Sequence, residues 1–188
     1  ETVEGVQRIR GLAGSGKTVV LALKAAYLHA QHPEWKIAVT FNTRSLKGQL
    51  RQLINTFYIE QTSEEPDWDN LHILHAWGAP GGGERTGMYY IFCGTNNLEY
   101  LDFLSAKNHF GSTDPFGAAC KKALEEAADP KPLYDVVLVD EAQDFSPAFL
   151  KLCYEMLREP KRLVYAYDEL QNLRLQSLPS CLLYTSDA

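Results

Sequence analysis

The stretch Gly11-Leu12-Ala13-Gly14-Ser15-Gly16-Lys17-Thr18 decides the fold that we expect for this chain. It fits the pattern G-x-x-x-x-G-K-[ST], which is the phosphate-binding loop of nucleotide-binding α/β proteins. Its glycines let the backbone bend tightly and turn N–H groups inward around phosphates, at the N-terminus of the helix that follows. A glycine-rich turn that merely starts a helix would leave the Gly-Lys-Thr ending unexplained.

We therefore predict a site for ATP and Mg²⁺ at this loop. Lys17 would neutralise the β- and γ-phosphates, and the Thr18 hydroxyl would bind the metal ion. The phosphate contacts predicted within the loop are Gly11, Ala13, Gly14, Ser15, Gly16, Lys17 and Thr18.

The residues around the loop have the order of a βαβ unit. We expect a strand over residues 6–10, an alanine- and leucine-rich helix over 18–31, and a β-branched strand over 36–41. A strand before the loop and a helix after it are the context that this motif requires.

Further along, we expect a helix with one apolar stripe, in which Lys47 and Arg51 share another face that we interpret as solvated. A strand over 71–75 follows, and residues 88–93 fit either a strand or a helix. A helix is expected over 116–128. We interpret residues 79–130 as a small, mostly helical insertion.

The second half of the expected site follows the apolar run 133–139, a strand suited to burial on both faces. It delivers Asp140 and Glu141 to the carboxyl edge of the sheet, where open α/β sheets bind ligands. Asp140 would hold Mg²⁺, and Glu141 would act as general base toward the attacking water. An acidic turn after a strand is common, but its combination with the phosphate-binding loop favours the catalytic interpretation.

Next, we expect a helix that begins with a capping hydroxyl and a proline at Ser146-Pro147. A further strand over 162–167 completes the predicted elements. The buried face of that helix is predicted to consist of Phe149, Leu150, Cys153, Met156 and Leu157.

The composition limits the function classes. The chain has 188 residues, 45% of them hydrophobic and 22% charged, which suits a single globular domain. Its net charge of −6 argues against a nucleic-acid footprint over the whole surface but allows a local basic cleft. The four cysteines form no C-x-x-C pair, and we find no signal peptide or membrane-spanning run, so we expect reduced thiols and the cytoplasm of a bacterium.

The stretch Asp140-Glu141-Ala142-Gln143-Asp144 resembles motif II of the UvrD/Rep group of superfamily 1 helicases. Residues 37–43 resemble motif Ia, residues 73–77 the short motif before the inserted subdomain, and residues 167–173 motif III. The resemblance implies a RecA-like P-loop NTPase, that is, an α/β fold with a mainly parallel sheet flanked by helices. Residues 1–78 and 131–180 would form this ATP-binding domain, and 79–130 the inserted subdomain.

The resemblance also implies roles for individual residues. Gln171 would sense the γ-phosphate, and Gln143, with Asp144, would couple motif II to motif III. Contacts to single-stranded DNA, or RNA, would come from Phe41, Asn42, Thr43, Arg44, His75 and Trp77. For Phe41 and Trp77 plain core packing is an equal alternative, as is a hydrogen-bonded structural role for His75.

Some features depart from the helicase pattern. Tyr167 stands where the family has glycine, Leu170 replaces a polar residue, and the insertion is short. Motifs IV to VI are missing, so we expect a second RecA-like domain of the same polypeptide to complete the site. Residues 181–188 resemble a translated sequencing adapter, and we expect them to be non-native.

Three functions stay open on this sequence. The first is an ATP-dependent helicase or translocase on single-stranded DNA, in which this chain alone would bind nucleotide weakly and hydrolyse little. The second is a P-loop ATPase that acts as a nucleotide switch, or an RNA-directed motor, without DNA unwinding. The third is a nucleotide-binding module without turnover.

Overall fold

A computed structural model describes residues 4–11, 16–168 and 185–187 of the chain. Strands and helices alternate along its first half, and three helices then precede the last two long strands. The elements are β1 Val6–Gly11, α1 Lys17–Gln31, β2 Ile37–Phe41, α2 Leu46–Thr62, β3 Leu71–His75, α3 Met88–Thr95, α4 Phe103–Phe110, α5 Pro115–Glu126, β4 Tyr134–Val139, α6 Pro147–Glu155, β5 Leu157–Asp168 and β6 Thr185–Asp187.

The strands form one sheet in the order β3-β2-β4-β5-β1-β6, and every pairing in it is parallel. Because parallel strands need crossover connections, helices cover both faces of the sheet. The predicted α/β architecture with a mainly parallel sheet is therefore confirmed, and it is consistent with a Rossmann- or RecA-like arrangement.

Strand β4 shows why the sheet is buried on both faces. Val136 and Leu138 pack in the core under α1 and α2, whereas Val137 and Val139 pack in the core under α3, α5 and α6. All four side chains are fully buried. Alternate residues thus serve opposite layers, which requires the continuous apolar run seen in the sequence.

The insertion shares the second of these cores. Tyr89 and Cys93 of α3, and Cys120 of α5, pack with Phe149 of α6 and the sheet. Residues 88–93, which fit either a strand or a helix by pattern, are helical. In the described part of the chain, no helix is long and apolar enough to cross a membrane.

The start and end of α6 differ from prediction. The helix ends at Glu155, so Met156 is buried beyond its end, and Leu157 is the first residue of β5. At its start, the Ser146 hydroxyl makes no capping hydrogen bond. Pro147 at the first helical position, with its fixed φ, remains as the start signal.

The connection after β3 depends on a close backbone crossing between Gly78 and Gly87. A Cβ atom on either glycine would collide with the backbone of the other, and Gly78 has a φ of 77°. His75 and Gly87 also form a parallel bridge. This crossing fixes the base of the 79–87 loop beside the end of β3.

Candidate functional site

The two predicted Mg²⁺ ligands meet at the carboxyl edge of the sheet. Thr18 lies in the first turn of α1 and Asp140 follows β4, and the Thr18 hydroxyl donates a hydrogen bond to Asp140 Oδ2 at 2.7 Å. The two residues are 122 positions apart in the chain. A hydroxyl and a carboxylate oxygen at one point are the ligand types that Mg²⁺ takes alongside water and substrate phosphates.

Asp140 is well suited to a cation because it is buried. Only 3% of its surface is exposed, and this burial raises the pKa of its carboxyl, against the opposing effects of hydrogen bonds from Thr18 and the Glu141 N–H. A nearby cation offsets the desolvation of such a carboxylate. Within the described residues, no group of three or more His, Cys, Asp or Glu side chains is placed to hold a metal ion.

Lys17, the first residue of α1, contacts the end of β1. Its ammonium group donates a hydrogen bond to the Gly11 carbonyl at 3.1 Å, which connects the start of α1 to the end of β1. Gly16, at the N-cap of α1, has a φ of 82°, a conformation that favours glycine. The predicted contacts Ala13, Gly14 and Ser15 lie outside the described residues.

The end of β5 joins this edge because β5 lies between β1 and β4. Gly11 and Asp168, the last residues of β1 and β5, are partners in the strand register. The Gln143 side-chain oxygen accepts a hydrogen bond from the Asp168 N–H at 3.1 Å, so the turn after β4 is tied to β5. Gln171, predicted to sense the γ-phosphate, lies outside the described residues.

Glu141 is directed toward the segment that follows β2. Its Oε2 accepts hydrogen bonds from the N–H groups of Asn42 at 3.1 Å and Thr43 at 2.9 Å. Its Oε1 accepts one from the Thr43 hydroxyl at 2.8 Å. The predicted general base and two predicted nucleic-acid contacts are therefore in direct contact.

Beyond this segment lies a groove of about 730 Å³ between the end of β3, the start of α2 and the insertion. Arg44, Lys47 and Arg85 supply positive charge to its lining, and Glu84 and Asp102 supply negative charge. Lys47 and Glu84 form an ion pair of 2.6 Å, whose hydrogen bond and charge lower the pKa of Glu84. Lys47 is therefore a groove residue rather than part of a solvated face, whereas Arg51 lies over the Trp68 ring at 4.2 Å.

The aromatic residues of this groove differ in what they offer a ligand. Phe41 is only 1% exposed, so it supports the floor rather than presenting a ring face. Trp77 stacks on Phe116 at 4.8 Å and donates a hydrogen bond to the Leu101 carbonyl at 2.8 Å, so packing holds it in place. Phe103, which sequence reasoning missed, is 58% exposed and meets Trp77 edge-on at 5.9 Å.

His75 connects the groove to the segment that holds Glu141. Its Nδ1 accepts from the Trp77 N–H at 3.3 Å, so its Nε2 carries the proton and donates to the Asn42 carbonyl at 2.7 Å. Burial lowers the pKa of His75, and the charge of Arg44 adds to that effect. The structure thus supports the structural role for this histidine while placing it in the groove lining.

Comparison with known proteins gives no assignment. No protein-family model matches the chain. No curated protein matches it either. A functional proposal therefore depends on the geometry above, on the sequence motifs and on the helicase resemblance that they carry.

The groove contains residues that sequence reasoning did not select. Arg85, Tyr100, Asp102 and Phe103 come from the insertion, where no motif or clear periodicity marks them. The closing of the 79–87 loop onto β3 places Arg85 there, whereas the hydrogen bond from the Tyr100 hydroxyl to the Gly78 carbonyl and the contact of Phe103 with Trp77 place residues 100–103. An available signal was the presence of Gly78 and Gly87, since a glycine can mark a position where another backbone segment approaches closely.

Proposed function

We propose that this chain is the ATP-binding domain of an ATP-dependent helicase or translocase on single-stranded DNA, a RecA-like P-loop NTPase of the UvrD/Rep type. The observation that carries the proposal is the hydrogen bond between Thr18 and Asp140 at the carboxyl edge of a parallel sheet. It joins the last residue of the phosphate-binding loop to the acidic residue after β4. These are the parts that a P-loop NTPase uses to hold a metal–nucleotide complex.

Each residue at this edge has a chemical task in ATP hydrolysis. Thr18 and Asp140 would hold Mg²⁺, which when bound neutralises charge on the β- and γ-phosphates. Lys17 would add a positive charge to the same oxygens. Glu141 would take a proton from the water that attacks the γ-phosphorus, as the bond from phosphorus to the ADP oxygen breaks.

The groove supports a nucleic-acid substrate for this motor. Basic side chains at its lining suit phosphates, and the exposed Phe103 ring offers a stacking surface that any base can use. Single-stranded nucleic acid can present both groups, since its bases are unpaired. The lining has three basic and two acidic side chains, so the groove has a small positive excess on a chain of net charge −6, which fits a directed contact rather than general adhesion.

The helicase resemblance adds two further parts to the proposal. A second RecA-like domain of the same polypeptide would complete the ATP site, and the protein would work in the cytoplasm. Residues 1–180 alone should accordingly bind nucleotide weakly and show little hydrolysis. Robust turnover by that segment would contradict the composite site.

The test is ATP hydrolysis by the full-length protein, with and without oligo(dT) or oligo(U). We expect stimulation by oligo(dT), and no hydrolysis by Lys17→Ala. Stimulation by oligo(U) alone would favour the RNA-directed alternative. Hydrolysis that no nucleic acid stimulates would favour a nucleotide switch, and binding without hydrolysis would favour a module without turnover.

A further inference from the structure

The carboxylate of Glu141 is held by the two residues that follow β2. Both of its oxygens are engaged there, one by the N–H groups of Asn42 and Thr43 and the other by the Thr43 hydroxyl. Glu141 itself has a φ of 55°, in the left-handed region that non-glycine residues adopt rarely. Such a conformation persists where surrounding contacts hold it, and it is frequent at switch regions.

The same two residues lie between Glu141 and the groove. Asn42 and Thr43 are exposed, and the Asn42 carbonyl accepts the hydrogen bond from His75, which lines the groove. Arg44, the next residue, lines it as well. In protein–nucleic-acid contacts, phosphodiester oxygens accept hydrogen bonds from backbone N–H groups and from side-chain hydroxyls.

A phosphate and the Glu141 carboxylate would therefore compete for the same donors. Both are anions, and both would accept the Asn42 and Thr43 N–H groups. The three hydrogen bonds occupy three of the about four lone-pair sites of the carboxylate and hold it against the Asn42–Thr43 segment, so one site on Oε1 remains for a proton from the attacking water. Once the donors turn to a phosphate, the carboxylate is available to that water.

We propose that the Asn42–Thr43 segment restrains Glu141 until a phosphodiester of single-stranded nucleic acid takes its hydrogen-bond donors. Thr43 is then a positioning residue that couples the groove to ATP hydrolysis. This inference depends on the proposed function, because it assigns a regulatory state to the same general base. The two contacts are thermodynamically linked. If nucleic acid weakens the contact between Glu141 and the Asn42–Thr43 segment by some factor, that contact must weaken nucleic-acid binding by the same factor.

The kinetic test compares Thr43→Val with Thr43→Ser in the full-length protein. Valine keeps the shape and loses the hydroxyl, whereas serine retains it. We expect Thr43→Val to raise the rate of ATP hydrolysis without nucleic acid about threefold to tenfold, and to lower the ratio of stimulated to basal rate at saturating nucleic acid. Thr43→Ser should keep the wild-type ratio of stimulated to basal rate. An unchanged or lower basal rate in Thr43→Val would overturn the restraint.

The binding test needs no turnover. Anisotropy of labelled oligo(dT) and oligo(U), with EDTA and no nucleotide, should show about fivefold tighter binding by Glu141→Ala than by the wild type. Asp140→Asn is the matched control, because it removes a neighbouring negative charge that makes no contact with Asn42 or Thr43. Equal tightening in both variants would show a general charge effect and overturn the competition.

The two proposals fail in different ways. If hydrolysis is absent, or persists in Lys17→Ala, the proposed function is wrong and the restraint falls with it. If hydrolysis requires Lys17 and Glu141 while the Thr43→Val ratio stays at the wild-type value, only the restraint is wrong.

Discussion

The edge of the sheet and the groove beside it are built from different kinds of sequence. At the edge, Thr18, Asp140 and Gln143 belong to short contiguous motifs, and the register of parallel strands brings them together. In the groove, Lys47 comes from the start of α2 and Phe103 from the insertion, and loop geometry brings them together. Chemistry carried by strand ends is therefore visible in sequence, whereas a binding surface built from loops is not.

The largest expected effect lies at the edge of the sheet. Lys17→Ala should abolish ATP binding, because it removes the charge that neutralises the phosphates. Glu141→Gln should bind ATP and lower the rate of hydrolysis roughly 100-fold to 10,000-fold, the range for loss of a general base. Equilibrium binding and steady-state hydrolysis, measured on both variants, separate the two roles. Wild-type turnover by Glu141→Gln would mean that another group is the base.

Substitutions in the groove should have smaller effects, and these should be confined to nucleic-acid binding. Phe103→Ala should weaken oligo(dT) binding by roughly 5-fold to 160-fold, since one stacked base contributes about 1–3 kcal/mol. Leu104→Ala is the matched control, because Leu104 is 64% exposed on the same helix and does not line the groove. Equal losses in the two variants, by fluorescence anisotropy, would remove Phe103 from the interface.

The edge of the sheet and the groove also differ in how much of their structure the sequence predicts. The βαβ start and the buried strand before Asp140 were predictable, because a parallel sheet covered on both faces requires continuous apolar runs. The orientation of Glu141 was not, since it depends on the left-handed turn after β4 and on donors about 98 positions away. The burial of Phe41 is not predictable from the sequence, because a β-branched and aromatic strand does not reveal which residues reach the surface.

A smaller effect is expected at the ion pair beside the groove. Glu84→Gln should release Lys47 and tighten oligo(dT) binding about twofold at low salt, with the gain lost at high salt because exposed charges are screened. Glu126→Gln is the control, since it breaks a 2.6 Å ion pair with Lys122 that does not line the groove. A gain that persists at high salt would argue against an electrostatic cause.

The smallest effect concerns pH. Burial lowers the pKa of His75 below its usual 6.5, so the unfolded chain binds more protons as the pH falls below that value. The contribution of His75 to the free energy of unfolding should therefore be fully present above about pH 6.5. It should decrease by about 1 kcal/mol or less toward pH 5.5. Urea unfolding at pH 7.5 and 5.5 should show a smaller decrease for His75→Gln than for the wild type. An equal decrease in His75→Gln would assign the acid sensitivity elsewhere.

The pairing of Thr18 with Asp140 is the central claim, and calorimetric titration of ATP into the full-length protein tests it most directly. The measurement compares wild type with Asp140→Asn, each with Mg²⁺ and with EDTA. Mg²⁺ should tighten ATP binding by the wild type, and Asp140→Asn should lose most of this gain while it still binds ATP in EDTA. Equal gains from Mg²⁺ in both proteins would contradict it.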